Sequence, residues 1–363
     1  MLTPLVFLAL GACGGADKND DTADTSVDYT ARGPHAVGVA RFVIDDPERP
    51  LEVEVWYPTD ADGQGFPVEE YVADAADRER YVALLDAAPE GCPSTATGAI
   101  RDAAPAAPAE GAWPLLAFSH CYECVRFSSF SVAEHLASHG FVVAAPEHTG
   151  TTLFDALNKD ILGLTDEALT LRLGDVSAAL DAVLDGASGA PAVAVDPERV
   201  AVLGHSFGSI TAAAALRDDD RLKAALGMAA PMEYPLLDSA VMDELSEPLL
   251  MLIAVEDNSI SEAGNELMRI NFDEAVGAAW KVEVEDAGHW SFSDICGLTD
   301  FVTPGCGEAA RQTDPDETFS YIPVSQGIDI ASAYSAAFFA ETLRGEVGAV
   351  DAFDFSGVDV ESR

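Results

Sequence analysis

Arg199-Val-Ala-Val-Leu-Gly-His-Ser-Phe-Gly208 carries a β-branched and aliphatic run into a Gly-x-Ser-x-Gly turn. An Ala-rich segment from Ser209 to Leu216 follows at once. The order reads as strand, sharp turn and helix, with Ser206 at the apex of the turn. Gly204 and Gly208 leave room where strand and helix crowd together, and a strained backbone at the serine turns its hydroxyl outward. The free N–H groups and positive dipole end of the helix lie beside it, open to an anion.

Hydrophobic patterning on either side extends this unit. Residues 35–46 and 51–59 alternate with period two and read as an antiparallel pair. Residues 113–120 and 141–148 read as strands buried on both faces, separated by a helix over 127–138. An amphipathic helix is predicted near 166–185, ahead of the elbow strand. Beyond the elbow helix come strands at 223–230, 248–255 and 280–284, a helix near 262–274 and a closing helix over 328–344. Strands alternating with helices after an antiparallel entry mean an α/β fold, a mostly parallel central sheet with helices on both faces. Residues 60–112 form an irregular insertion, with a helical piece near 75–87, that reads equally as a lid or as a surface excursion.

In such sheets chemistry gathers at the carboxyl ends of the strands. Ser206, Asp257 and His289 each fall just past a predicted strand. A serine hydroxyl needs a base to take its proton, and the base needs a carboxylate to fix its tautomer. The chain order Ser, Asp, His suits Ser206 as nucleophile, His289 as base and Asp257 as the orienting acid, with Glu256 the alternative acid and His148 the alternative base. His205 reads as a packing residue, and His120 and His148 as parts of the site floor. An oxyanion needs donors aimed at it. The backbone N–H of Phe207 and one from the loop after residues 113–120 are expected, by position that of Tyr122, with Cys121 next.

The 363 residues hold 19 Lys+Arg against 63 Asp+Glu, a formal net charge of -44. Nucleic acid and anionic membrane surfaces should repel such a body, so the expected partner is a small molecule. Residues 1–13 form a short apolar run ending Leu10-Gly-Ala-Cys13. This pattern resembles a bacterial lipobox, with Cys13 as the site of lipidation. Residues 14–30 read as a disordered acidic tether, and residues 31–350 as the globular domain. The chain is therefore expected to be exported and held at a bacterial cell envelope through a lipid alone, or else secreted. Of the five later cysteines, Cys296 and Cys306 bracket one loop and are the first expected disulfide. Cys92 is left to pair with Cys121 or Cys124. No second Cys/His pair with zinc spacing accompanies Cys121-x-x-Cys124, so no metal is expected.

Four segments together bring a family to mind: Pro114-Leu-Leu-Ala-Phe-Ser-His120, residues 134–148, Val202-Leu-Gly-His-Ser-Phe-Gly208 and Gly288-His-x-x-Phe-x-Asp294. On these residues the chain resembles the platelet-activating-factor acetylhydrolase and dienelactone-hydrolase-like branch of the α/β-hydrolases, near bacterial polyester hydrolases and cutinases. The resemblance implies hydrolysis of carboxylic esters, short-acyl or lipid-derived, through an acyl-enzyme and without cofactor. A polyester hydrolase is the alternative within the class, and a non-catalytic surface lipoprotein keeping the fold is the alternative outside it. The chain departs from the family pattern at three points. Residues 227–231, after the strand that follows the elbow, carry no carboxylate, which favours Asp257. The usual His-Gly-x-Gly loop is here His120-Cys-Tyr-Glu123, and a Cys121–Cys124 link would take over the work of the glycines. No tryptophan lies near Pro231, which disfavours polyester.

Overall fold

The structure is a computed structural model and describes residues 27–47 and 49–363. Strands β1 (Ala36–Ile44) and β2 (Leu51–Thr59) pair antiparallel, with Val39 opposite Trp56. Helix α1 (Ala75–Ala87) starts at Asp74, whose side chain accepts from the N–H groups of Ala76 and Asp77. A short β3 (Ile100–Arg101) adds to the free side of β1. There follow β4 (Trp113–Ser119), α2 (Phe130–Ser138), β5 (Val142–Pro146), α3 (Leu153–Asn158), α4 (Asp166–Leu184), β6 (Val195–His205) and α5 (Phe207–Asp218). The second half runs β7 (Leu222–Met228), β8 (Leu249–Ala254), α6 (Ser261–Glu274) and β9 (Ala279–Val284). A hairpin of β10 (Glu308–Ala310) and β11 (Thr318–Ser320) precedes α7 (Val324–Arg344) and β12 (Val358–Ser362).

One sheet has the order β12-β9-β8-β7-β6-β4-β5-β2-β1-β3. The six strands from β9 across to β5 are parallel, and the elbow strand β6 lies between β4 and β7. Antiparallel β2 and β12 close its two sides. β12 lies past residue 350, so the domain runs further than the patterning indicated. Its few residues alternate weakly, as an exposed edge strand does.

Alternation along β4 shows how the core divides. Leu116 and Phe118 face one layer with α2 and α7, while Leu115 and Ala117 face the other with α4, α5 and α6. All seven residues of β4 are buried. A strand covered on both sides reads as a continuous apolar run for that reason.

The insertion at 60–112 is packed into the β1–β2 side of the sheet. Tyr71 stacks on Phe127 with centroids 4.9 Å apart and accepts from the Trp56 indole at 3.0 Å. The buried Glu54 carboxylate takes Arg101 at 2.6 Å and Arg126 at 3.3 Å, so both charges are paired. Tyr29, read from sequence as tether, is also docked. Its ring lies 4.9 Å from His139 and its hydroxyl donates to Glu346 at 2.6 Å. An aromatic ring gains from burial even at the end of a polar stretch. The lipobox, Cys13 and most of the tether lie outside the described residues.

The cysteine pairing agrees with the link raised for Cys121 and Cys124 and differs from the expectations for Cys296 and Cys92. Cys92 joins Cys306, with Cα atoms 5.8 Å apart, and Cys121 joins Cys124. Cys296 is a buried free thiol inside the apolar core. Nearness in sequence favoured Cys296 for Cys306, but the insertion brings Cys92 there instead. The Cys92–Cys306 link spans 214 residues. Loss of so long a cross-link in Cys92→Ser should lower the unfolding free energy by about 2–4 kcal/mol, read from denaturant unfolding against wild type.

Candidate active site

Ser206 follows the last residue of β6 and precedes α5 with φ 56° and ψ -121°, a left-handed backbone strained for a serine. Glycine is required on both sides. A Cβ on Gly204 would stand 2.0 Å from the Gly208 oxygen, and one on Gly208 would stand 1.9 Å from the Ser119 oxygen. Among β6, α5 and β4 there is no space for a side chain at either point.

His289 lies in the turn after β9 and Asp257 in the turn after β8. The structure brings both to Ser206. The imidazole Nε2 is 2.8 Å from Ser206 Oγ, and Nδ1 is 2.7 Å from Asp257 Oδ2. Asp257 is fully buried, and its other oxygen accepts from the N–H groups of Ser259 and Ile260 at 2.9 and 3.0 Å. The carboxylate is thus held from both sides and keeps the proton of His289 on Nδ1, leaving Nε2 to face the serine. Glu256 is occupied elsewhere, accepting from Gln312 at 2.7 Å and Thr313 at 2.8 Å beside Arg311. His205 donates from Nε2 to the His289 carbonyl at 2.8 Å and fixes the backbone of that turn. Burial presses the His205 pKa down to about 3, so it serves as a neutral donor.

Ser206 opens into a cavity of about 490 Å³. Tyr122, Ile210, Tyr234, Leu267, Trp290 and Phe301 are among its walls, and among the described residues no Asp, Glu, Lys or Arg lines it. No residue of 60–112 lines it either; Leu164 and Phe301 stand at its wall, 54% and 45% exposed.

Phe207 is the first residue of α5, so its N–H has no acceptor within the helix. Tyr122 follows β4, its hydroxyl donating to the Leu162 carbonyl at 2.8 Å. No acceptor among the described residues takes the Tyr122 N–H, whereas that of Glu123 donates to Thr151 at 3.0 Å. Glu123 has φ 56° at a point where the His-Gly-x-Gly pattern carries glycine. The Cys121–Cys124 link, with Cα atoms 5.3 Å apart, closes the turn around it.

Beneath this loop lies a polar layer that the sequence reading did not assemble. Ser119 Oγ is 2.9 Å from His148 Nε2, and His148 Nδ1 is 2.9 Å from Asp175 Oδ2. The residue types and distances match those around Ser206, but Ser119 is fully buried and does not line the cavity. His148 is therefore sequestered from the position a base would need. Arg49 pairs with Asp175 from outside. His120 donates from Nδ1 to the Cys121 carbonyl at 2.7 Å and accepts from the His148 N–H at 3.0 Å. Burial holds His120 and His148 well below the usual histidine pKa. The available signal was on α4. Arg172 and Asp175 are charged residues on the stripe that also holds Leu169, Val176 and Ala179, and a charge on a core-facing stripe needs a partner. Asp294 belongs to a different contact, accepting from Ser94 and Ser131 at 2.6 Å each, with burial raising its pKa to about 6.

A serine at a strand-to-helix elbow, with its histidine and aspartate supplied by turns at the same edge of a parallel sheet, places the chain in the α/β-hydrolase fold. The family described as platelet-activating factor acetylhydrolase, isoform II, matches residues 23–157 and 189–318, and the chain belongs to it. The chlorophyllase family also matches, over residues 95–231. Platelet-activating factor acetylhydrolase of Canis lupus familiaris is 28% identical over 177 residues, 39% of each chain, so the match spans well under half of that relative. The protein of that name from Gallus gallus is 24% identical over 362 residues, covering 86% of this chain and 82% of its own. A solved ferulic acid esterase from Streptomyces cinnamoneus shares the fold at 23% identity and a TM-score of 0.65, with 90% of this chain and 96% of that one covered.

Glu123→Gly relieves a left-handed backbone at the cost of greater freedom in the unfolded chain. The net gain should be about 0.5–1 kcal/mol in unfolding free energy, measured by thermal or denaturant melts.

Proposed function

We propose that the chain is a serine carboxylic-ester hydrolase acting on short-acyl or lipid-derived esters through an acyl-enzyme. The observation that carries this reading is the continuous hydrogen-bond path from Ser206 through His289 to Asp257, 2.8 and 2.7 Å long, opening into an apolar cavity. Attack by Ser206 Oγ on the ester carbonyl passes the hydroxyl proton to His289 Nε2. Asp257 stabilises the imidazolium so formed. The oxyanion is received by the N–H groups of Phe207 and Tyr122. Collapse expels the alcohol, which takes the proton from Nε2. Water then repeats the cycle on the acyl-serine, losing a proton to His289 and releasing the acid.

An uncharged lining suits an acyl chain and offers nothing to a charged one. The half-exposed Leu164 and Phe301 at its wall favour esters derived from lipid. Two relatives are acetylhydrolases by name, which agrees with a short acyl group. Two disulfides support a life in an oxidising compartment outside the cytosol, and lipidation at Cys13 would hold the domain there.

Release of p-nitrophenol from acetate, butyrate and octanoate esters by the purified chain tests the assignment, together with a fluorophosphonate probe. Ser206→Ala should abolish both turnover and labelling. Asp257→Asn, which leaves His289 in the wrong tautomer, should lower kcat on the order of 10³–10⁴-fold with little change in KM. Labelling that persists in Ser206→Ala would overturn the reading.

A further inference from the structure

We propose that Arg172 is a positioning residue for the oxyanion donors, orienting and polarising the Cys121–Tyr122 peptide group from the side opposite the substrate. The proposal rests on the ester-hydrolase reading and adds to it a residue outside the cavity.

Its basis is the peptide unit itself. A trans peptide is planar, and its C=O and N–H point in opposite directions. The carbonyl of the peptide that carries the Tyr122 N–H belongs to Cys121. That oxygen accepts from Arg172 Nη2 at 3.1 Å and from His120 Nδ1 at 2.7 Å, which occupies both lone pairs. Arg172 Nη1 donates to the preceding carbonyl, that of His120. Two successive carbonyls of the loop are thus drawn to one guanidinium. The Tyr122 N–H is thereby turned away from α4, and no acceptor among the described residues takes it. The other donor sits against the same cation. The Phe207 ring lies over the Arg172 guanidinium at 4.4 Å, and Phe207 supplies the N–H next to Ser206.

The electrostatic cost of this arrangement argues for a use. Arg172 is fully buried, its Nε has no partner, and among the described residues no carboxylate oxygen lies within 4 Å of it. Holding two carbonyls would need only a neutral donor, and a buried cation without a direct counter-charge is expensive. The positive charge is one peptide group away from the point where an oxyanion forms. A cation on the carbonyl strengthens the N–H of the same peptide as a donor, and that gain appears only as negative charge develops. The Ser119–His148–Asp175 layer holds the remaining charge nearby, with Arg49 neutralising Asp175 on its outer side.

The test uses the purified full chain, wild type, R172Q and R172K, with active sites counted by fluorophosphonate titration so that misfolded molecules do not contribute. Hydrolysis of p-nitrophenyl butyrate gives kcat and KM. Butylboronic acid, whose boron becomes tetrahedral and negative on Ser206 Oγ, reports affinity for the oxyanion state. R172Q should lower kcat about 10–100-fold and weaken butylboronic acid by a matching factor, with KM moving less than about threefold. R172K keeps the charge but loses the fork and should fall about tenfold in both; it decides the matter where R172Q does not accumulate. Titrated sites with kcat and boronate affinity within twofold of wild type overturn the proposal, as does a fall in kcat with boronate affinity unchanged. A purely structural role would lower the melting temperature and leave the titrated kcat alone. Wild-type protein that releases no p-nitrophenol overturns the ester-hydrolase reading and this proposal together. Active wild type with indifferent Arg172 variants overturns this proposal alone.

Discussion

Backbone touching backbone at Gly208 is the contact from which the site is built. The first turn of α5 lies so close to the end of β4 that even a methyl group at 208 would overlap the Ser119 oxygen. Three chain segments are pinned there at once: the end of β4, the end of β6 and the start of α5. Ser206 is two residues from the pin on one segment, and the loop holding Tyr122 begins one residue beyond it on another. Ser206 and the loop holding Tyr122 therefore share a single reference point. Close packing transmits small shifts instead of absorbing them, so neither piece can drift alone.

Around that point the polar and apolar parts are separated by depth. Outermost is the cavity, whose walls carry no carboxylate, lysine or arginine among the described residues. Next comes the row Ser206, His289 and Asp257, in which the carboxylate is fully buried and the serine partly open. Away from the cavity is the layer of His120, His148, Arg172 and Asp175, all four buried. Burial keeps the histidines of that layer neutral, so they act as fixed donors and acceptors with defined tautomers. The same triplet of residue types thus appears twice with nearly equal distances. Access to a cavity distinguishes the two, and access is a property of packing that side-chain identity does not carry.

Much of this was legible in the linear chain. The elbow was legible because steric crowding leaves only glycine at 204 and 208, and the strands because double-sided burial yields unbroken apolar runs. Asp257 and His289 stood out by falling after strands, and the structure places both beside Ser206. The partner of Cys306 was not legible. It depends on where the irregular insertion packs, and residues 60–112 have no periodicity from which to fold them. The strain at Glu123 was legible only as a departure from a glycine pattern. A non-glycine residue in a left-handed conformation breaks local preference, and the short Cys121–Cys124 ring closes the turn around it. Arg172 went unread because α4 was judged by its apolar stripe, and the charge on that stripe was passed over.

The docking of Tyr29 sets a direction for the whole body. Its partners are His139, just before β5 begins, and Glu346, just after α7 ends. Because β4, β5 and β6 run parallel, that spot belongs to the starting edge of the sheet, and Ser206 stands at the finishing edge. Each residue of strand adds about 3.3 Å, so the two edges are roughly 20 Å apart. Residues 27–29 are thus fixed at the edge opposite Ser206. Tyr29 pins the first described residues there, so the side from which the cavity is entered is left clear of them.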